Sequence, residues 1–379
     1  MQEDITYDLA IVGGGLAGLA LSIQMAKAGY KVILFEKENY PFHRVCGEYI
    51  SNESWHFLHS LGLDINSLNV AHIKRLQVSD SKGRSFIQKL PLGGFGLSRY
   101  TLDHHLAQLA LQNGVVVCGQ TRVNDISFTH NEFIVTAANK NYKAKFAAGC
   151  FGKRSNLDIK WKRPFALAKN NKLNNYIGIK YHIKYDFPDD LIALHQFKKG
   201  YCGLSKIEGD KYCLCYITTA DNLQSSGNDI SKLEKDILSI NPHVKKIFTE
   251  SKMLWKEPVS ISQISFDKKD QVHDHVLMIG DAAGMITPLC GNGMSMALHA
   301  SKIAAEHISD FLKGKILRTE MEKNYIRKWK KQFSARLTAG RMLQKLMFNE
   351  WLISSTIRSG KIFPGLINFL ITKTHGHTF

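Results

Sequence analysis

Three glycines, a cysteine and two carboxylates stand out by their spacing in a chain of 379 residues. Gly13-Gly14-Gly15-Leu16-Ala17-Gly18 follows the apolar run Tyr7–Val12. It opens a helical pattern, Leu16, Leu19, Ala20, Ile23 and Ala26, that stops before Gly29. Lys31–Glu36 then reads as a second apolar strand. Strand, glycine turn, helix and strand within about thirty residues match the size of a dinucleotide-binding unit. Each glycine has its own task. Gly13 permits the tight turn, Gly15 lets a pyrophosphate approach the backbone, and Gly18 lets helix and strand pack closely. The helix start at Leu16 and Ala17 offers free N–H groups and a positive dipole end to the phosphates. Glu36, followed by Lys37, lies about twenty residues on, where a carboxylate accepts from a ribose hydroxyl. This unit alone does not separate NAD from FAD.

A second constellation begins near residue 276. The apolar run Val276–Ile279 ends in Gly280-Asp281, and Pro288, Gly291, Gly293 and Met294 lead into a helix over about 293–312. Asp281 can accept from a polyol hydroxyl. The glycines let the N-terminal N–H groups of the helix face an anion. Between the two constellations lie Pro41-Phe42-His43-Arg44-Val45-Cys46-Gly47-Glu48 and Leu97-Ser98-Arg99-Tyr100-x2-Asp103-x2-Leu106.

The pattern Gly-Asp-Ala-Ala-x4-Pro-x2-Gly-x-Gly resembles the second FAD fingerprint of the flavoproteins that include p-hydroxybenzoate hydroxylase and the geranylgeranyl reductases. The resemblance spans most of residues 5–310. It implies FAD as cofactor, Asp281 on the ribityl chain, and the Gly291-x-Gly293 helix start beside the flavin ring. Residues 41–48 resemble the Lys/Arg-x-Cys-Gly-Glu stretch of the geranylgeranyl reductase-like members. That likeness puts Arg44, Cys46 and Gly47 by the flavin and makes Cys46 the catalytic candidate. A buried, unreactive cysteine is the alternative. Arg99, in a stretch that resembles the family's Arg-x3-Asp segment, is implied to reach the FAD, as a guanidinium suits phosphate or carbonyl oxygen. A surface helix start near 101–112 is the other reading. The chain also departs from its relatives. Ala148 replaces the Asp of the hydroxylase motif, which weighs against direct NAD(P)H docking. No Trp-x-Trp-x-Ile-Pro segment of the halogenase branch occurs, so halogenation is not expected. The reductases' Tyr-x-Trp-x-Phe-Pro strand gives way to Gly200–Glu208.

The elements that must position these residues follow from periodicity. Residues 38–110 read as turns and a helix, Val115–Val117 and Phe133–Thr136 as strands. Tyr176–Tyr185, Leu191–Phe197, Tyr201–Ile207 and Tyr212–Thr218 read as strands of an antiparallel sheet roofing a ligand pocket. The expected fold is α/β. A Rossmann-like FAD-binding domain (1–165 and 265–312) carries an inserted antiparallel β-sheet substrate domain (166–264) and a basic helical C-terminal region (313–379). Composition is that of a globular protein, 44% hydrophobic and 22% charged. Seven scattered cysteines without a CxxC pair suggest neither a zinc ribbon nor a disulfide framework, and a reducing cytoplasm fits. No metal site is expected, since His273 and His275 flank Asp274 without a second ligand cluster. His43, His195 and the His104–His105 pair could be acid/base groups, but surface or packing roles suit each better. No Ser-His-Asp arrangement is suggested.

The net charge of +17 is uneven. Residues 313–379 hold 14 Lys/Arg against 3 Asp/Glu, so +11 of it lies there, interleaved with Trp329, Phe333, Leu337, Met342, Leu346 and Phe348. A basic amphipathic helix suits a membrane surface at least as well as nucleic acid, and a solvated face is the plainer reading. Peripheral membrane contact at the inner face is expected, the interrupted segment Trp351–Ile371 included, and nucleic-acid binding is not. No signal peptide or membrane span is visible. Three functions compete. The first is FAD-dependent reduction of a double bond in a lipophilic substrate, with NAD(P)H as a candidate electron donor. The second is FAD-dependent hydroxylation of an aromatic or lipid-linked aromatic substrate. The third is a non-enzymatic basic binding protein on a flavoprotein frame.

Overall fold

The computed structural model describes residues 5–167, 175–360 and 374–379. Two sheets organise the chain. The first runs in the order 272–273, 276–278, 140–149, 6–12, 32–35 and 116–118, parallel from 276–278 onward. The hairpin Val123–Thr129/Glu132–Ala137 extends it from the strand Lys140–Gly149. Parallel strands covered on both faces read as unbroken apolar runs, and Leu9–Val12 and Val32–Phe35 are buried throughout. Register decides where the site lies. Val12 pairs with Phe35 and with Gly149, and Gly149 pairs with Met278. Four strands therefore end level, and their next residues, Gly13, Glu36, Cys150 and the Gly280 turn, meet outside one carboxyl edge. Ligands of open α/β sheets bind at such an edge.

The second sheet has the order 252–253, 176–184, 212–219, 200–206, 191–197, 71–79, 85–96 and 49–51, with 259–264 also on 176–184. It is antiparallel except where Leu191–Phe197 runs parallel to Ala71–Ser79. Two of its long strands, Ala71–Ser79 and Ser85–Gly96, come from the region expected to hold only turns and a helix. Pro91, Gly93 and Gly94 hide the second of them. Pro91 sits where the ladder with 71–79 slips register between Ile73 and Arg75, at a bulge that spares it the missing N–H. The second sheet thus draws on residues before 166 as well as on 166–264. Tyr49–Ser51 pairs with Gly94–Gly96, so the Cys46–Glu48 loop feeds directly into its edge.

Helices Leu16–Lys27 and Gly293–Leu312 pack on the first sheet, and Pro242–Glu250 covers the second with Val244 and Ile247. The long helix Arg318–Met347 is no appendage. Trp329 and Phe333 are buried in the first core, and the Tyr325 hydroxyl donates to the Met278 carbonyl at 2.7 Å. The aromatic residues that punctuate its basic sequence are therefore core, not surface. Part of the segment Trp351–Ile371 lies outside the described residues. Among the described residues, no helix is long and apolar enough to cross a membrane.

Candidate functional site: a convergent pair of glycine turns

The first turn behaves as its spacing implies. Gly13 has φ +108°, a conformation open to glycine, and a Cβ there would meet the Cys150 backbone. A Cβ on Gly18 would strike the Gly13 carbonyl oxygen and lie 3.2 Å from Ile11 Cγ2, so close helix–strand packing requires the glycine. Gly15 differs. A Cβ there would meet only Arg99 Nη2, at 3.8 Å, which leaves room over the turn. Gly15 is also the N-cap of the first helix, without a side-chain cap and with no acid in the first turn. Its leading N–H groups thus give this turn the positive polarity that suits an anion.

The second turn closes on the first. Gly280 has φ +65°, and a Cβ on it would lie 3.1 Å from Ala17 Cβ. Lys269 Nζ donates to the carbonyls of Asp281 (2.8 Å) and Lys153 (2.6 Å), and Arg163 Nη2 donates to that of Ala282 (3.2 Å). These two cations fix the backbone that carries the Asp281 carboxyl. Burial pushes that carboxyl above its ordinary range, with Lys269 and Arg99 pulling it back. Burial likewise lowers Lys269 to about 8, outweighing Asp281. Gly291 has φ +61° and faces the Tyr49 ring, whose Cδ1 would be 2.9 Å from a Cβ there. Asn292 donates to the Thr374 carbonyl at 2.7 Å, while its own buried carbonyl oxygen has no partner. Helix Gly293–Leu312 starts without a side-chain cap or an early acid. Pro288 opens the single tight turn Pro288–Cys290 that ends at Gly291, and Met294 is buried. Open space at Gly15, two bare helix starts and a carboxyl held between them fit a dinucleotide that spans both turns.

Between the turns runs a chain of charges. Glu36 accepts from the N–H groups of Gly14 (2.9 Å) and Glu38 (3.1 Å) and from Arg44 Nη2 (2.9 Å). Arg44 Nε donates to Asp103 at 3.1 Å, and Asp103 takes a two-pronged bond from Arg99 at 2.8 and 2.7 Å. Arg99 is thus anchored from its own helix, Arg99–Gln112, and overlooks the Gly15 turn. Tyr40 donates to the Gly14 carbonyl. Lys37 stays outside this group, half exposed and paired with Glu38 at 3.5 Å.

Cys46 lies at the junction of the two sheets. Its sulfur accepts from the Glu48 N–H at 3.4 Å and its carbonyl accepts from Cys213 Sγ at 3.2 Å. Burial raises the thiol's pKa despite Arg99 nearby, so it is held protonated. Gly47 is exposed, with nothing near a Cβ position. Glu48 was not among the expected site residues, yet it organises the junction. Its Oε1 accepts from Lys180 Nζ (2.6 Å) and the Arg99 N–H (2.9 Å), and its Oε2 meets His182 Nε2 at 2.6 Å. Burial alone would raise its pKa, but Lys180 and His182 hold it at about 2. A signal was present: Lys180 and His182 sit two apart in an otherwise apolar strand, so both point to one face. Glu48, His182 and Cys213 also come close enough to suggest a metal, but Lys180 already places a positive charge on the same carboxylate.

His43 is wedged between Tyr100 (4.6 Å) and Trp255 (4.2 Å), and burial with the Lys180 charge lowers it to about 4. His195 is a packing residue far from the turns, bonded to Ser79 at 2.8 Å and stacked on His243. His104 and His105 meet edge to face, with ring centres 6.0 Å apart. His275 bonds Glu322 at 2.8 Å in the turn beyond His273.

Next to the second turn, a cavity of about 150 Å³ is lined by Tyr49, Leu76, Leu194, Leu289, Leu346 and Ile353, among others. Its exposed lining is overwhelmingly apolar.

Several known proteins are similar to this chain in sequence or in fold. A curated digeranylgeranylglycerophospholipid reductase of Methanococcus vannielii is 24% identical over 360 residues, covering 91% of this chain and 88% of its own. Conditioned medium factor receptor 1 of Dictyostelium discoideum is 24% identical over 365 residues, covering 88% of this chain and 69% of its own. The solved structure of a flavin-dependent brominase superposes with TM-score 0.77 at 18% identity, covering 97% of this chain and 94% of the other. The profile of the FAD binding domain family matches residues 6–323, and with both glycine turns in place the chain belongs to that family as an FAD-dependent oxidoreductase.

Proposed function

We propose that the protein reduces a carbon–carbon double bond in a lipophilic substrate, a reading supported by the relative named digeranylgeranylglycerophospholipid reductase. One observation carries this reading: the apolar cavity abuts the second glycine turn through Pro288, Leu289, Cys290 and Gly291, and Tyr49 of the Cys46–Tyr49 stretch forms its wall. When bound, FAD supplies the hydride, and NAD(P)H is the proposed source of electrons. The chain's own residues do the rest. Gly13–Gly18 and helix Leu16–Lys27 hold the diphosphate, Asp281 orients the polyol chain, and the Gly291-x-Gly293 helix start steadies negative charge at the ring edge. The apolar walls exclude water from the reacting bond. A double bond that accepts a hydride at one carbon needs a proton at the other, and the Cys46 thiol, at the sheet junction three residues before the Tyr49 that walls the cavity, is the proposed holder of that proton.

The test is reduction of the flavin without oxygen, followed by addition of a polyprenyl substrate and mass analysis. A product heavier by two hydrogens supports the reading. Oxygen uptake coupled to a product one oxygen heavier would replace it with hydroxylation, which the missing Tyr-x-Trp-x-Phe-Pro strand favours. The brominase likeness is one of fold, and the halogenase Trp-x-Trp-x-Ile-Pro segment is absent from this chain.

A further inference from the structure

We infer that the outer face of helix Arg318–Met347 is a docking surface for an anionic lipid bilayer, set beside the cavity through which an apolar substrate would enter. Residues 323–349 contain eight Lys/Arg and not one Asp or Glu. A solvated helix face usually alternates charge at three- or four-residue spacing, and this one does not. Lys323, Arg327, Lys330 and Lys331 and, ten residues on, Arg341 and Lys345 share one outward side of the helix, away from the buried Tyr325, Trp329 and Phe333. None of the six forms an ion pair among the described residues, whereas the inward-facing Arg336 reaches Glu53 at 3.4 Å. Met342, on the same side, is 67% exposed, and Trp351, which lies at the start of the next helix, is 74% exposed. An indole beside a cationic stripe suits the headgroup region of a bilayer, where its apolar body and polar tip are both satisfied.

The other side of these helices explains why a bilayer, rather than a nucleic acid, is the partner. Leu343, Leu346, Met347 and Ile353 wall the apolar cavity from within. The two helices thus present cations and two large apolar side chains outward and an apolar chamber inward. Attraction to the bilayer is mainly electrostatic, since the aromatic residues of the helix are buried, and it weakens as salt shortens the screening length. This docking does not depend on which reaction the flavin site performs, and its failure would leave the proposed reduction standing.

The experiment is flotation of the full-length, flavin-loaded protein with phosphatidylcholine vesicles, with and without phosphatidylserine. Wild type is expected to float only with the anionic vesicles, and less as salt rises. Each cation near the surface raises binding about fivefold, so Arg327→Gln/Lys331→Gln/Lys345→Gln should lower partitioning roughly a hundredfold. Its visible flavin spectrum should be unchanged. Trp351→Phe should reduce the vesicle-induced blue shift of tryptophan fluorescence. Equal flotation on both vesicle types, or a triple variant that floats like wild type, overturns the inference. So does charge-dependent binding to duplex DNA or RNA without vesicle binding.

Discussion

Replacing Glu48 by Gln probes the junction of the two sheets most directly. The carboxylate is fully buried and engages two cation-capable groups at 2.6 Å and one backbone N–H at 2.9 Å. Without it, Lys180, itself buried, loses its carboxylate partner and is left near the Trp255 ring, 5.5 Å from its ammonium. Breaking one side of a buried ion pair costs about 3–5 kcal/mol. A second route gives the same size: the shift of Glu48 from 4.5 to about 2 corresponds to about 3 kcal/mol, at 1.36 kcal/mol per pKa unit. The sign follows. A carboxylate whose folded pKa is depressed adds stability at pH values above its unfolded pKa, and that stability is lost as pH falls from about 4.5 towards 2. The Glu48→Gln protein should therefore melt roughly 6–15 °C lower at neutral pH, at about 2–3 °C per kcal/mol for a large chain. Its stability should also change less between pH 5 and 3 than wild type's, on the order of those carboxylate pKa values. The double variant Glu48→Gln/Lys180→Met removes the stranded charge and should recover at least half the loss. Thermal scans and urea unfolding across pH would read these differences. A single variant within about 1 °C of wild type, or a double variant no better than the single, refutes the view that this pair ties the sheets together.

The other expectations are simpler. Gly15→Ala should melt like wild type, because a Cβ there meets only Arg99, yet lose bound flavin on gel filtration. Gly18→Ala should lose both flavin and stability, by about 1–3 kcal/mol of overpacking, since its Cβ runs into the Gly13 carbonyl. Lys269→Met tests a lysine whose pKa is lowered to about 8. The unfolded chain binds the extra proton between about 8 and 10.5, so this lysine makes stability rise with pH there; the variant's own pH curve should lack that slope, and wild type minus variant should show it. Cys46→Ala should retain flavin and fold, and reduce substrate turnover at least about a hundredfold, the lower end for losing a positioned proton donor; an unchanged rate would make Cys46 a packing residue.

What could be read from sequence was whatever the chain encodes within a few dozen residues. Gly13, Gly15 and Gly18 announced their separate tasks because a turn, an open approach and a close contact each need a missing side chain at a fixed offset. The strand ends at Val12, Phe35 and Met278 were visible as apolar runs broken by glycine or acid. The strand Ser85–Gly96 was not, because Pro91, Gly93 and Gly94 read locally as breakers and only its partner strand shows that they form a bulge. Glu48 was overlooked for the same kind of reason. Its partners lie 132 and 134 residues away, and nothing near it in sequence shows that a left-handed backbone, φ +55°, turns its carboxylate towards them. The basic helix was misread in part as well: its aromatic residues looked surface-active until packing showed them facing the first core, leaving the cations alone outside. Local signals therefore reveal the glycine turns of the FAD-binding fold, whereas the groups that join the sheets and wall the cavity are fixed by contacts that close over a hundred residues or more, which no local pattern encodes.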